Sequence, residues 1–455
     1  MATSAEEPVK DSEISPEKED QVFTCKFAGR QSTVSVGREK IDIVECADVK
    51  KPTKVAKSDH IILSDVLCAK VTGRSEVTLH VIQGTSKDKK LTLKKVKLSL
   101  NDNAQLEILE KKINGGIVSI TEGVRPRRLL AIINPIAGGQ TGEKIYKTKA
   151  APLFALAGIE VQIKLSERPK HAIELARETD LKGIDGIITV GGDGTFTQVC
   201  NGLIERSHID GAEVPPVGVV PAGSGNGMAF DFTGSYDITG AVLTIIRGST
   251  FKINALELKS GGNTIFYGTM FFALGYFGQV MHLAEKRRHL KKLRYLITTL
   301  STLKNSSSCR VDVGVTYTDK NGEDLQPSDW TTVNGSFTSL ANMPVRQVDD
   351  DGNTISFLRY PTGSLQFMPY GASRMDLIKY VHNMRRHLIN GDDLALPEGM
   401  YSARFAQVKI KAVNPEDELA RMLNFDGEPI LLDNAEFEIR LLPQLITVYS
   451  RDVAR

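Results

Sequence analysis

Between residue 21 and about residue 120 the chain alternates apolar and polar positions in short runs: QVFTCKF, QSTVSVG, IDIVEC, HIILSDVLCAKV, VTLHVIQ and KLTLKKVKLSL. Period-two alternation, broken by Gly, Lys-Pro and Asp-Asn clusters, predicts strands joined by turns. Leu106, Ile108, Leu109 and Ile113 then recur at roughly helical spacing. Several strands closed by one C-terminal helix predict a small β-rich domain over residues 21–122.

The pattern changes after Gly123-Val-Arg-Pro-Arg-Arg. LLAIINP is a continuous apolar run, as expected of a parallel strand buried on both faces. A helix is expected over Lys144–Ala157, then the strand IEVQIKLS, a helix over His171–Thr179 and the strand GIITVGGDG. A helix from Phe196 to Arg206 and the strand VGVVPAGSGN complete the series. Strand–helix alternation predicts a doubly wound α/β nucleotide-binding domain over residues 125–250. From Phe251 to Arg455 strands dominate, including FKINALEL, TIFYGTMFFAL, CRVDVGVTYT, ARFAQVKIKAV and AEFEIRLLP. Helices are expected over Leu283–Leu303 and Arg374–Leu388, so residues 251–455 read as a β-rich, sandwich-like second domain.

Composition narrows this little. With 41% apolar and 25% charged residues the chain is ordinarily globular. A formal net charge of +2 lacks the basic excess of a nucleic-acid binder. The five cysteines are scattered, with no metal-ligand spacing, and suit a reduced cytoplasmic setting. Residues 1–20 are acidic and polar, without the apolar core of a signal peptide, and read as a disordered tail. The longest apolar runs fall far short of the about 20 residues that span a bilayer. A lipid substrate would therefore be met at a membrane surface, with the protein peripherally associated.

The chemistry concentrates in three glycine-rich turns at the ends of three expected strands: Asn134-Pro-Ile-Ala-Gly-Gly139, Gly191-Gly-Asp-Gly-Thr195 and Pro221-Ala-Gly-Ser-Gly-Asn226. In an open α/β sheet this is the edge where ligands bind. Glycine admits a phosphate close to the backbone, and N–H groups at helix starts favour anionic oxygens. A single such turn is ordinary turn chemistry; three on one edge point to a nucleotide. Neither a Walker motif nor a G-x-G-x-x-G after the first strand is present, which leaves Gly-Gly-Asp-Gly-Thr as the candidate phosphate loop. Asp193 within it can bind Mg²⁺ or accept the proton of an attacking hydroxyl.

The turns NP…GG, GGDGT…NGL and PAGSGN, in this order, resemble the diacylglycerol-kinase-type catalytic domain shared by sphingosine, ceramide and diacylglycerol kinases. Leu165-Ser-Glu-Arg-Pro-Lys-His-Ala172 and Asp426-Gly-Glu428 look most similar to sphingosine (long-chain base) kinases, and the β-rich N-terminal segment is similar to a pleckstrin-homology domain. The resemblance implies ATP and Mg²⁺ as cofactors and a lipid presented by a membrane as substrate, with a homodimer as a candidate assembly. It implies that Asn134, Gly138, Gly139 and Ser166 contact ATP, that Gly191, Gly192, Gly194 and Thr195 form the phosphate loop, and that Asp193 is the general base. Gly223, Ser224, Gly225 and Asn226 would add a second nucleotide contact. Arg288 and Arg294 would hold phosphates, Asp426 would place Mg²⁺, and Glu428 would lie near the nucleotide.

Two positions depart from the pattern. Where such kinases carry Glu after Gly-Gly-Asp-Gly-Thr, this chain has Thr197-Gln198. Where sphingosine kinases carry an acid ahead of Glu285-Lys286, this chain reads Gly278-Gln-Val-Met-His-Leu-Ala284. A cationic lipid head then lacks an ion-pairing partner at Met281, which keeps a neutral lipid head, or a non-catalytic lipid- or nucleotide-binding relative, as alternatives.

Overall fold

A computed structural model describes residues 21–46, 58–84, 91–210, 213–287, 290, 293–303, 310–322, 324–342, 347–348, 354–355, 362–390 and 395–451. The expected N-terminal tail and Arg288 lie outside the described residues. The chain divides into two compact units, Met1–Gln83 with Leu93–Glu122 and Gly84–Thr92 with Gly123–Arg455.

In the first unit, β1 (Val22–Phe27), β2 (Arg30–Val36), β3 (Lys40–Glu45), β4 (Ser58–Ile62), β5 (Val66–Thr72), β6 (Glu76–Gln83) and β7 (Thr92–Ser99) form one sheet. Its order is β4-β3-β2-β1-β7-β6-β5. Phe27 pairs with Arg30, so Ala28 and Gly29 make a two-residue hairpin turn, both with positive φ. The run HIILSDVLCAKV, expected as one strand, divides at a 3₁₀ turn over Leu63–Asp65. Helix α1 (Asn103–Ile120) starts where the Asp102 carboxylate accepts the Ala104 N–H. It buries Leu106, Leu109, Ile113 and Ile117 against Phe23, Val34, Ile43 and Leu79, whereas Ile108 faces out.

The second unit is built round a sheet ordered β23-β22-β14-β16-β15-β21-β24-β11-β10-β8-β9. Its α/β part holds β8 (Arg128–Ile133), β9 (Glu160–Leu165), β10 (Gly186–Gly191) and β11 (Val217–Pro221), all parallel. The first crossover expected as one helix comprises α2 (Ala137–Gln140), α3 (Gly142–Ile145), a π-helical turn and α4 (Ala151–Leu156). Then come α5 (His171–Glu178), α6 (Asp193–Asp210), α7 (Gly227–Thr233) and α8 (Ile238–Arg247). Leu130, Ile132 and Ile187 pack on α5, α6 and α7, while a Cβ at Gly218 would strike Ile245 of α8 on the opposite face.

The remaining strands are β12 (Thr250–Ser260), β13 (Asn263–Gly268), β14 (Phe272–Gly275), β15 (Val311–Thr318), β16 (Thr331–Asn342), β17 (Gln347–Val348), β18 (Thr354–Ile355) and β19 (Gly363–Pro369). They continue with β20 (Tyr401–Phe405), β21 (Gln407–Ala412), β22 (Met422–Phe425), β23 (Glu428–Leu431) and β24 (Glu436–Tyr449). Inward residues of these strands, among them Leu258, Phe272, Val313, Phe367, Ile410 and Phe425, meet in one core. No break follows residue 250, because β24 pairs with β12 and β21 and reaches β11 through Val217 and Val448.

Two further elements differ from expectation. The apolar run TIFYGTMFFAL is two strands, β13 and β14, because residues 269–271 turn to meet a carboxylate. The helix expected over Leu283–Leu303 is two, α9 (Tyr276–Lys286) and α10 (Leu293–Leu303). Helix α11 (Arg374–Asn390) lies where a helix was expected, and a short α12 (Glu418–Arg421) precedes β22.

One contact in the first unit can be weighed directly. The Asn114 carboxamide donates to the Ala69 C=O at 3.0 Å and accepts the Ala69 N–H at 2.9 Å, holding α1 to β5 at the sheet edge. Asn114→Ala should weaken this unit by about 1–3 kcal/mol. The expected readout is faster amide hydrogen exchange at Ala69 and Val71 than at β1.

Candidate active site

Strand order reverses between β8 and β10, since β9 follows β8 outward on one side while β10 and β11 extend on the other. At such a switch point the two following loops separate and leave a crevice at the carboxyl ends of the strands. Asn134 and Gly191-Gly192 flank it. The Asn134 N–H donates to the Val190 C=O at 2.9 Å, and its Nδ2 donates to the Thr195 Oγ1 at 3.2 Å. Ser166 ends β9 beside them, its N–H donating to the Ile133 C=O at 2.9 Å.

The three glycine turns touch one another through backbone. A Cβ on Gly223 would lie 2.3 Å from the Gly192 Cα, and one on Gly138 would lie 2.2 Å from the Ala222 C=O oxygen. Gly138 also has φ +60°, which favours glycine. The Gly191 C=O accepts the N–H groups of Ala222 at 2.8 Å and Gly223 at 3.0 Å. Asn226, at φ 62°, closes its own turn by accepting the Gly223 N–H and donating to the Gly223 C=O, each at 2.9 Å. Gly138 and Gly223 are therefore required by packing, a Cβ on Gly191 would meet the Thr195 Oγ1 at 2.4 Å, and one on Gly192 would sit tightly, 3.1 Å from the Gly223 Cα. Gly194 is different: it is exposed in the first turn of α6, and a Cβ there would meet nothing within 4 Å. Packing does not account for that glycine, but close approach of a ligand to its backbone would.

Asp193 opens α6, and its Oδ1 accepts the Met228 N–H at the start of α7 at 2.9 Å. Gly225 packs over the other oxygen: a Cβ there would lie 2.8 Å from Oδ2. Among the described residues no donor reaches Oδ2 at hydrogen-bonding distance, so the half-buried carboxylate is oriented by one oxygen and available through the other.

About one turn beyond it, at Thr197 and Gln198, α6 meets a hairpin. Asp426 (φ 51°) and Gly427 (φ 89°) form the two-residue turn between β22 and β23, with Phe425 paired to Glu428. The Asp426 Oδ1 accepts the N–H groups of Met270 at 2.9 Å and Phe271 at 2.7 Å. Its Oδ2 accepts the Thr269 N–H at 2.5 Å, the Thr197 hydroxyl at 3.1 Å and the Thr269 hydroxyl at 3.4 Å. Burial pushes this carboxyl up from its ordinary range, against the N–H groups of Thr269, Phe271 and Met270 and the Thr197 hydroxyl that hold the anion. Five donors occupy a carboxylate with about four lone-pair directions. The Mg²⁺ expected at Asp426 thus has no open ligand there, and the residue anchors the 269–271 turn instead. Among the described residues no group of three or more His, Cys, Asp or Glu could hold a metal ion.

Glu428 accepts the Gln198 amide at 3.2 Å. The glutamine that departs from the kinase pattern is therefore a partner of the acid in Asp-Gly-Glu, and a glutamate in its place would set two carboxylates against each other. Sequence reasoning missed this pairing, and it missed Thr197 as a ligand of Asp426. Arg294 is buried and paired with Glu285 of the preceding helix at 3.4 Å. No described contact joins it to the glycine turns. Ser224 and Gly225 lie half-buried in the third turn, and Gly139 follows Gly138 in α2.

Two substitutions separate these roles. Gly194→Ala should raise stability by up to about 1 kcal/mol, as alanine in a helix does, while weakening nucleotide binding in isothermal titration calorimetry. Asp426→Asn should cost on the order of 2–4 kcal/mol in chemical denaturation, because the amide meets N–H donors with an NH₂ group.

Residues 128–258 match the family described as diacylglycerol kinase catalytic domain. Sphingosine kinase 1 of Arabidopsis thaliana is 32% identical over 253 residues, covering 48% of this chain and 52% of that protein. The ceramide kinase of Homo sapiens is 33% identical over 190 residues, covering 39% of this chain and 35% of that protein. The chain thus spans about half, or less, of the length of these relatives. A solved diacylglycerol kinase from Bacillus anthracis str. Sterne aligns with a TM-score of 0.48 at 15% identity, over 71% of this chain and 97% of that one. Over residues 128–258, then, the chain is similar to the diacylglycerol kinase catalytic domain family.

Proposed function

We propose that this protein is an ATP-dependent lipid kinase that phosphorylates the primary hydroxyl of a sphingoid long-chain base. The observation that carries the reading is the Asp193 carboxylate, oriented by the Met228 N–H and open at Oδ2 beside three glycine turns in contact. In the reaction, Asp193 draws the proton from the lipid hydroxyl as its oxygen attacks the γ-phosphorus of ATP. A new O–P bond forms, the bond from phosphorus to the β–γ bridging oxygen breaks, and ADP leaves. Backbone N–H groups of the turns and the starts of α6 and α7 would stabilise the charge on the phosphates. Mg²⁺ would supply further neutralisation on the phosphates; with Asp426 committed to its turn, Asp193 is the carboxylate of the loop that could share it.

A membrane surface as the source of substrate has its own support. Leu293, Leu296, Ile297 and Leu300 are 61%, 57%, 40% and 56% exposed along one stripe of α10. That apolar stripe, behind the basic run Lys286-Arg-Arg-His-Leu-Lys-Lys292, suits a helix lying in a lipid interface. No described helix is long and apolar enough to cross a membrane. The first unit, a seven-stranded sheet with one C-terminal helix, is in this reading a pleckstrin-homology-like domain.

Ceramide is a second reading, favoured by the head-group segment of α9. Met281 brings no charge there, and burial together with Lys286 pushes the neighbouring His282 down toward its neutral form. A neutral lipid head suits those two residues better than an ammonium.

Labelled ATP and a panel of sphingosine, dihydrosphingosine, ceramide and diacylglycerol test both readings. Asp193→Asn should lower turnover by at least about 10²-fold and leave ATP affinity nearly unchanged. Lipid-independent ATP binding with no transfer to any lipid would overturn the kinase reading.

A further inference from the structure

A narrow, mostly apolar slot in the β-rich part, closed down to a free volume of about 10 Å³, is lined by Phe277 of α9, Ala341 of β16, Gln366 and Met368 of β19, Tyr380 of α11, and Met400. Methionines are flexible enough to let such a slot widen round a hydrocarbon chain. Ser339 also lines the slot, but its Oγ is answered by the Leu274 C=O and the Phe277 N–H; Gln366 is not fully answered and does not fit a purely hydrocarbon occupant. Gln366 is 6% exposed, and its Oε1 accepts the hydroxyl of Tyr380, which is 2% exposed. Its Nε2 is buried with no hydrogen-bond partner among the described residues.

Turning the carboxamide over does not remove the deficit. Nε2 would then donate to the Tyr380 oxygen, and Oε1 would become the unpaired atom. In either orientation the slot offers one unanswered hydrogen-bonding group amid apolar walls. Buried polar atoms are almost always paired, so an orphan in a binding slot points to a group that the ligand brings. A hydroxyl, both donor and acceptor, answers either orientation, and a carbonyl answers one.

We propose that Gln366 is a specificity-determining residue that selects lipids bearing an oxygen function on the chain, a hydroxyl foremost, over lipids with a plain hydrocarbon chain. The proposal rests on the lipid-kinase reading only in taking a lipid as the occupant. With a plain chain in place the amide stays unpaired, and sites with an unanswered buried polar group reject such ligands strongly.

The test uses the full chain and two lipid pairs, each differing by one hydroxyl. Dihydrosphingosine is set against its 4-hydroxy derivative, and an N-acyl dihydrosphingosine against its 2-hydroxyacyl counterpart. Micelle-presented lipid binding is measured by competition, and kcat/KM separately with ATP. The proposal expects the hydroxylated member of at least one pair to be favoured by about tenfold or more. The double variant Gln366→Leu/Tyr380→Phe removes both polar partners together, which cores tolerate well. It should bring the ratio within about twofold of unity, chiefly by improving the plain lipid. Gln366→Met serves the same ratio measurement if the double variant fails to fold. Equal treatment of both members of both pairs by the wild type, as expected if a trapped water answers Gln366, overturns the proposal. So does a preference that survives the variants. Binding preference without phosphate transfer would sink the kinase reading and leave this one standing.

Discussion

Direct backbone contact among three turns is the constraint on which the candidate site of this protein depends. Strands β8, β10 and β11 bring their carboxyl ends to one edge, but ordinary side chains there would hold the turns apart. The contact of Gly192 with Gly223 and of Gly138 with Ala222 draws the loops into one continuous surface. Asp193 then spans two helices, opening α6 and accepting from the start of α7. A carboxylate so held can present its free oxygen in one direction only, which general-base chemistry requires.

The same helix carries the site into the second half of the unit. Thr197 bonds to Asp426 and Gln198 to Glu428, so one face of α6 connects to a hairpin more than two hundred residues later. Asp426 in turn determines where β13 ends and β14 begins by capturing three consecutive N–H groups. The loop holding Asp193 and the turn leading into β14 and α9 are thus parts of one hydrogen-bonded assembly. Movement at the glycine turns would be felt at β14 and α9 through packed polar contacts instead of through a flexible linker.

Much of this was legible in sequence because local chemistry and tertiary need agree. The run LLAII is apolar on both faces of β8, and the glycines mark places where backbone meets backbone. Asp426-Gly427 is also a strong two-residue hairpin signal, but the shared Asp-Gly-Glu string points to metal chemistry before turn geometry. The failures have a common cause in remote partners. Nothing local breaks the run TIFYGTMFFAL; a carboxylate some 155 residues away does. Gln198 looked like a lost charge only while Glu428 was out of view. Gln366 carries no motif, and its oddity appears only when its neighbours across two helices are seen to be apolar.

The long last strand has a temporal meaning. β24 lies between β21 and β11 and also pairs along most of β12, while the Tyr449 hydroxyl donates to the Asp185 C=O beside β10. Until residues 436–449 have been synthesised, β11 and β12 lack the neighbour that joins them, and the parallel strands present an open apolar edge. Contacts so distant in sequence are slow to form. A nascent chain of this protein therefore emerges with its three glycine turns already translated but their sheet unsealed, a state in which a chaperone would have most to protect.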